Sequence, residues 1–212
     1  MLERQLYLKL FSNLIIPVLG FWWWGWSLYF ILLFYFLDLF SNELVVHLKV
    51  KKIKSVQQET NPTPTKTMAL VSFLFLVLSI VVINIGMVIY HPELSLKQEI
   101  VNFIGYKEMG LEQGYVLIPL IVLMTFANYK SDFLVPKMFL IQREKEVWKA
   151  HIKQHFLLIS FSAILLLIAV SYQLSEWVIL VVILLLTTIY HFLQGKEHIC
   201  TIQAFYSNNR TN

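Results

Sequence analysis

The stretch that decides the fold is FYFLDLFSNELVVHLKVKK, residues 34–52, which sets Asp38 among aromatic and aliphatic side chains. Read outward, the apolar character reaches back to Ser27 and forward to Val50, where a lysine cluster begins. At ~1.5 Å per residue this run is long enough to cross a hydrocarbon core of ~30 Å. Asp38 is eleven residues past Ser27, so it falls ~17 Å below the outer boundary, near the midplane. A charge at that depth costs about 2.5–3.5 kcal/mol on insertion scales and is tolerated when it faces the bundle interior, carries a proton or finds a partner. Ser41 and Asn42 continue the face of Asp38 toward the lysines, whereas Glu43 and His47 form an i,i+4 pair on another face.

Composition places the rest of the chain in the same class. The 212 residues are 58% hydrophobic and 14% charged, far from the roughly 45–50% and 25% of soluble domains. The expected fold is all-α, a polytopic helical membrane bundle forming one domain over residues 1–212. About six spans are expected, at 5–24, 27–50, 68–90, 114–134, 154–171 and 176–194, or five if the first segment, which carries Lys9, Pro17 and Gly20, lies in the interface. Gly25 supplies a turn, Ser27 a helix N-cap, and Trp22, Trp23, Trp24 and Trp26 an aromatic belt. Residues 51–67 read as polar, their TNPTPTK portion a proline-broken loop, 91–113 as an acidic loop with a short helix around 96–106, and 137–153 as a basic connector lying on the membrane surface.

Lysine and arginine positions orient the bundle. With six spans and the N-terminus inside, 15 of the 17 basic residues face the cytoplasm and only Lys97 and Lys107 face out. Both termini are therefore expected in the cytoplasm and the chain in the inner, or plasma, membrane. A cleavable signal is not expected, because four tryptophans follow the first apolar stretch where small residues belong. The single cysteine, Cys200, forms no intrachain disulfide.

Candidate functional residues fall in two groups. Asp38, Ser41 and Asn42 are a polar lining inside the membrane, joined by Lys130 from the fourth span, which either snorkels to the headgroups or pairs with Asp38 or Glu43. His47, His155 and His191 approach the inner boundary at similar depth with Glu43 a turn deeper. Three histidines and a carboxylate suit Zn²⁺, although the sequence demands no cofactor. His151 and His155 are also i,i+4 within HIKQH, two ligands on one face, but no HExxH is present. Phosphate-loop, dinucleotide and nucleophile-elbow motifs, a potassium filter and an arginine ladder are likewise missing. The positive charge lies where topology requires it, so nucleic acid is not an expected partner; the bilayer is, with a second copy or another membrane protein.

Pro17, the turn at Gly25 and Trp26, and Tyr35, Phe36 and Asp38 in YFLD together resemble an uncharacterised bacterial polytopic membrane-protein family, a domain of unknown function. In that family a GW turn leads into an LxYWxE-type helix, and later spans carry single histidines placed like His155 and His191. Phe36 and Asp38 stand here where the family prefers Trp and Glu. The resemblance marks Asp38 as a functional position and implies no activity.

Two classes of function are consistent with these residues. The first is a non-enzymatic, oligomeric component of a pore, transporter or membrane-perturbing effector, with Asp38 on its pathway or interface. The second is an intramembrane metal hydrolase with His47, His155 and His191 as ligands and Glu43 or Asp38 as general base, acting at the inner leaflet. A scaffold for a partner protein is a third, bland alternative.

Overall fold

A computed structural model describes residues 2–57, 63–105, 113–190 and 192. His191, Lys107 and Cys200 lie outside the described residues. Seven α-helices are present among the described residues: α1 (Leu2–Trp23), α2 (Leu28–Gln57), α3 (Thr63–Tyr90), α4 (Leu96–Gly105), α5 (Gln113–Tyr129), α6 (Glu144–Tyr172) and α7 (Glu176–Tyr190). No strand occurs among them. Four segments are long and apolar enough to cross a membrane: α2, Lys66–Tyr90 in α3, Leu117–Leu134 and α6.

The chain divides into two compact units, one made of α1, the start of α2 and α7, the other running from Leu32 to Ser171. In the first unit α1 continues through the buried Pro17 and ends at a turn where Gly25 takes φ of +62°. Trp26 N–H donates to the Gly20 carbonyl at 2.9 Å, folding the Trp26 ring onto the bare Cα of Gly20. Ser27 caps α2 as expected, its Oγ accepting the Phe30 N–H at 3.1 Å. The tryptophans divide: Trp22 and Trp23 are exposed, while Trp26 is buried. Trp177 of α7 meets Phe21 and Trp22 edge to face, with centroids 5.0 and 4.9 Å apart. A methyl group on Gly20 would overlap the Trp26 ring. Gly20→Ala is therefore expected to lower stability by about 1–3 kcal/mol, read as a lower thermal midpoint in detergent, with Leu19→Ala as a control at a half-exposed neighbour.

In the second unit α2 is the enclosed helix: 56% of its most apolar window is buried, against 17% for each of the other three candidate spans. Gly86 of α3 admits the Leu166 side chain of α6 to close range, the tight packing that small residues permit in membrane helices. Asn84 and Thr125 donate to the carbonyl four residues back in their own helices, as Thr187 does in α7 of the first unit, so these polar groups are satisfied locally.

Three expectations about the basic end change. α2 does not end at 50 but continues two turns to Gln57, and α3 begins inside the proline-containing TPTK at Thr63; proline near a helix start costs no hydrogen bond. The fourth span ends not as an α-helix but in a π turn, Lys130–Leu134, with Val135 N–H donating to the Lys130 carbonyl at 2.9 Å. Finally, the connector at 137–153 is connector only to Arg143. From Glu144 the chain is already α6, ten residues before the expected start of that span. The reason is its spacing: Glu144, Trp148, His151 and His155 recur at helical intervals and are all buried. At its N-terminal end Glu144 pairs with Lys54 at 3.5 Å, and the Gln57 amide donates to the carbonyls of Phe139 and Gln142 at 3.0 and 3.2 Å.

Candidate metal centre

α2, α3 and α6 of the second unit each bring a polar side chain to one buried point. Glu43 comes from α2, Ser72 from α3, and His151 and His155 from α6. All four are buried, with Ser72 and His155 at 0% exposure. Because His151 and His155 are four apart on a helix, their rings lie one above the other on one face, centroids 4.4 Å apart.

Glu43 Oε2 is the focus. Ser72 Oγ donates to it at 2.7 Å, His151 Nε2 lies 2.7 Å from it and His155 Nε2 3.4 Å from it, and the two Nε2 atoms are 3.0 Å apart. Two Nε2 atoms this close cannot both point a proton at each other. At most one of them donates along that line, and the Nε2–H groups of both histidines lie within reach of Glu43 Oε2. His155 Nδ1 has no hydrogen-bond partner among the described residues. Hydrogen bonding among these groups is thus incomplete: His155 Nδ1 and Glu43 Oε1 are buried without a hydrogen-bond partner among the described residues.

Such a set of atoms can hold a cation. Glu43, His151 and His155 each offer a ligand atom, all within 4.8 Å of one another. Bonds of ~2.0–2.1 Å to a tetrahedral Zn²⁺ separate its ligands by ~3.3 Å, and the observed edges of 2.7, 3.0 and 3.4 Å bracket that distance. Two histidines and a glutamate are also one of the three-ligand sets that leave a fourth position open for water. Toward the basic end the site is bordered by an apolar cluster of Val46, Val50 and Trp148, with Met68, Ala69 and Val147 packed against it.

Of the residues singled out from sequence, Glu43 and His155 belong to this centre. His47 stands at its edge: its side chain is 52% exposed, its Nε2 is 3.5 Å from Glu43 Oε1, and its ring meets Trp148 edge-on at 5.0 Å. His151, noted in sequence only as the i,i+4 neighbour of His155, is the central ligand candidate. Ser72 had no signal; a serine in an apolar span reads as a packing residue. Asp38 is half-buried and accepts a hydrogen bond from Asn42 Nδ2 at 3.1 Å on its own helix, Ser41 is buried, and Lys130 is exposed. Five residues along a helix place Asp38 and Glu43 ~140° apart around the axis, so Asp38 takes no part in the converging group.

No family model matches the chain, and no curated protein or solved structure matches it either.

Proposed function

We propose that this is an integral membrane metalloprotein, a hydrolase whose zinc-class cation is held by Glu43, His151 and His155 close to the cytoplasmic boundary of the bilayer. The observation that carries the reading is the convergence of two imidazole Nε2 atoms and one carboxylate oxygen at a buried point. Four long apolar segments support the membrane setting, and the lysine asymmetry supports placing the basic end of α2 and α6 in the cytoplasm. Glu43 is sixteen residues past Ser27, which sets the centre ~24 Å below the outer boundary, within reach of the inner leaflet. All three ligands come from one chain, so the centre needs no second subunit.

Among the described residues the centre has three protein ligands, a set that favours chemistry over scaffolding, since purely structural zinc sites are closed by four ligands. Held by Glu43, His151 and His155, a zinc-class cation would supply Lewis acidity toward an acyl or phosphoryl oxygen and would acidify a water at that position. Hydrolysis balances with water alone: the water oxygen bonds to the acyl carbon or phosphorus, the bond to the leaving group breaks, and the leaving group takes the proton. The pathway reading, centred on Asp38, rests on a carboxylate that Asn42 holds within its own helix, a feature sufficient for a structural role.

The test is metal content and activity together. Detergent-purified protein is expected to hold about one zinc or cobalt ion per chain and to hydrolyse a long-chain acyl or phosphoryl ester probe in mixed micelles, with loss on chelation and recovery on adding zinc. Protein that takes up no zinc refutes the centre. Metal-loaded protein inert toward both probe classes refutes the hydrolase and returns weight to the pathway reading.

A further inference from the structure

Resting on the metal reading above, we infer that His47 and Glu43 Oε1 form a loading site through which the cation enters from the aqueous phase at the basic end.

The two oxygens of Glu43 have different surroundings. Oε2 receives Ser72, His151 and His155, whereas Oε1 is buried with no hydrogen-bond partner among the described residues. Oε1 instead faces His47 Nε2 across 3.5 Å, too long for a good N–H to oxygen bond and close to the ~3.3 Å between two ligands of one tetrahedral cation. A single carboxylate therefore serves two positions, an inner one on Oε2 with the paired histidines and an outer one on Oε1 with His47.

Access distinguishes them. The side chains of His151 and His155 are 4% and 0% exposed, and that of His47 is 52% exposed. His47 is the one member of the cluster that a hydrated ion can reach from outside. Its depth agrees: twenty residues past Ser27 is ~30 Å, the full thickness of the hydrocarbon core. The Trp148 ring, fully buried, backs the His47 imidazole and limits its swing. The Lys49 ammonium, which would repel an incoming cation, lies over the Phe133 ring at 5.7 Å. An ion held by His47 and Oε1 moves inward by exchanging ligands on the same carboxylate, with no helix displaced.

The experiment is stopped-flow uptake of Co²⁺ by chelator-stripped protein, followed by cobalt d–d absorption, with equilibrium stoichiometry measured in parallel. His47→Ala is expected to leave one ion per chain at equilibrium while slowing uptake about 10- to 100-fold, the range by which groups adjoining a metal centre commonly tune it. His47→Cys, which restores a metal-binding side chain, is expected to recover most of the rate. Unchanged uptake in His47→Ala overturns the loading role and leaves the inner centre standing. Complete loss of bound metal in His47→Ala, or two ions per chain in the unsubstituted protein, overturns it as well, since either makes His47 a resident ligand. No cobalt bound by the unsubstituted protein defeats the inner centre itself.

Discussion

Replacing His155 with alanine is expected to abolish stoichiometric zinc binding while the helices persist. His155 places its Nε2 at 0% exposure, 3.0 Å from His151 Nε2 and 3.4 Å from Glu43 Oε2. A two-ligand remnant of His151 and Glu43 falls short of the three or four ligands that hold zinc tightly. Glu43→Gln is expected to do the same by a different route, because it removes the anion that balances a cation's charge while its amide oxygen still accepts from Ser72 and His151. Metal analysis on gel-filtered protein, with helix content by circular dichroism, checks both. Zinc retained at one per chain in His155→Ala would show that the converging atoms are an ordinary buried hydrogen-bond network.

The second large effect is expected at Trp148. This side chain is fully buried, packs with Val46 and Val50, and lies against His47 and His151 with ring centroids at 5.0 and 6.4 Å. Truncation to alanine removes the largest member of the plug, at a cost of about 3–5 kcal/mol for an aromatic residue in a core. The thermal midpoint should fall sharply, and chelator should strip metal from the folded protein faster because water reaches Glu43 from the basic end. Trp148→Phe keeps most of the volume and should restore most of both. Since Trp148 Nε1 has no hydrogen-bond partner among the described residues, phenylalanine loses area there but no hydrogen bond. A midpoint unmoved by the alanine substitution would mean that the plug carries no packing energy.

Much of the architecture is legible in residues near one another in the chain. The run after Ser27 is apolar enough to be helical whatever surrounds it, Ser27 caps that helix with its own hydroxyl, and the short helix at Leu96–Gly105 lies where the acidic loop suggests one. The basic connector misleads because its lysines dominate the reading, while the buried side chains Glu144, Trp148, His151 and His155 show only as a spacing. Glu43 and His155 are recognisable as candidate ligands because carboxylates and imidazoles are costly inside a bilayer and seldom stand there idle.

Which residues meet is another matter. Glu43 and His151 are 108 residues apart, and α2 is apolar around nearly its whole circumference, so periodicity does not reveal which side faces its neighbours. In a membrane the outside of a bundle is as apolar as its inside, which erases the pattern that tells core from surface in water. The sequence by itself therefore determined the helices, their lengths and the residue types able to hold a metal. Only the rotation of α2, α3 and α6 about their own axes, set by packing such as Gly86 against Leu166 and Trp148 against Val46 and Val50, decided that Ser72, His151 and His155, and not Asp38, are the company Glu43 keeps.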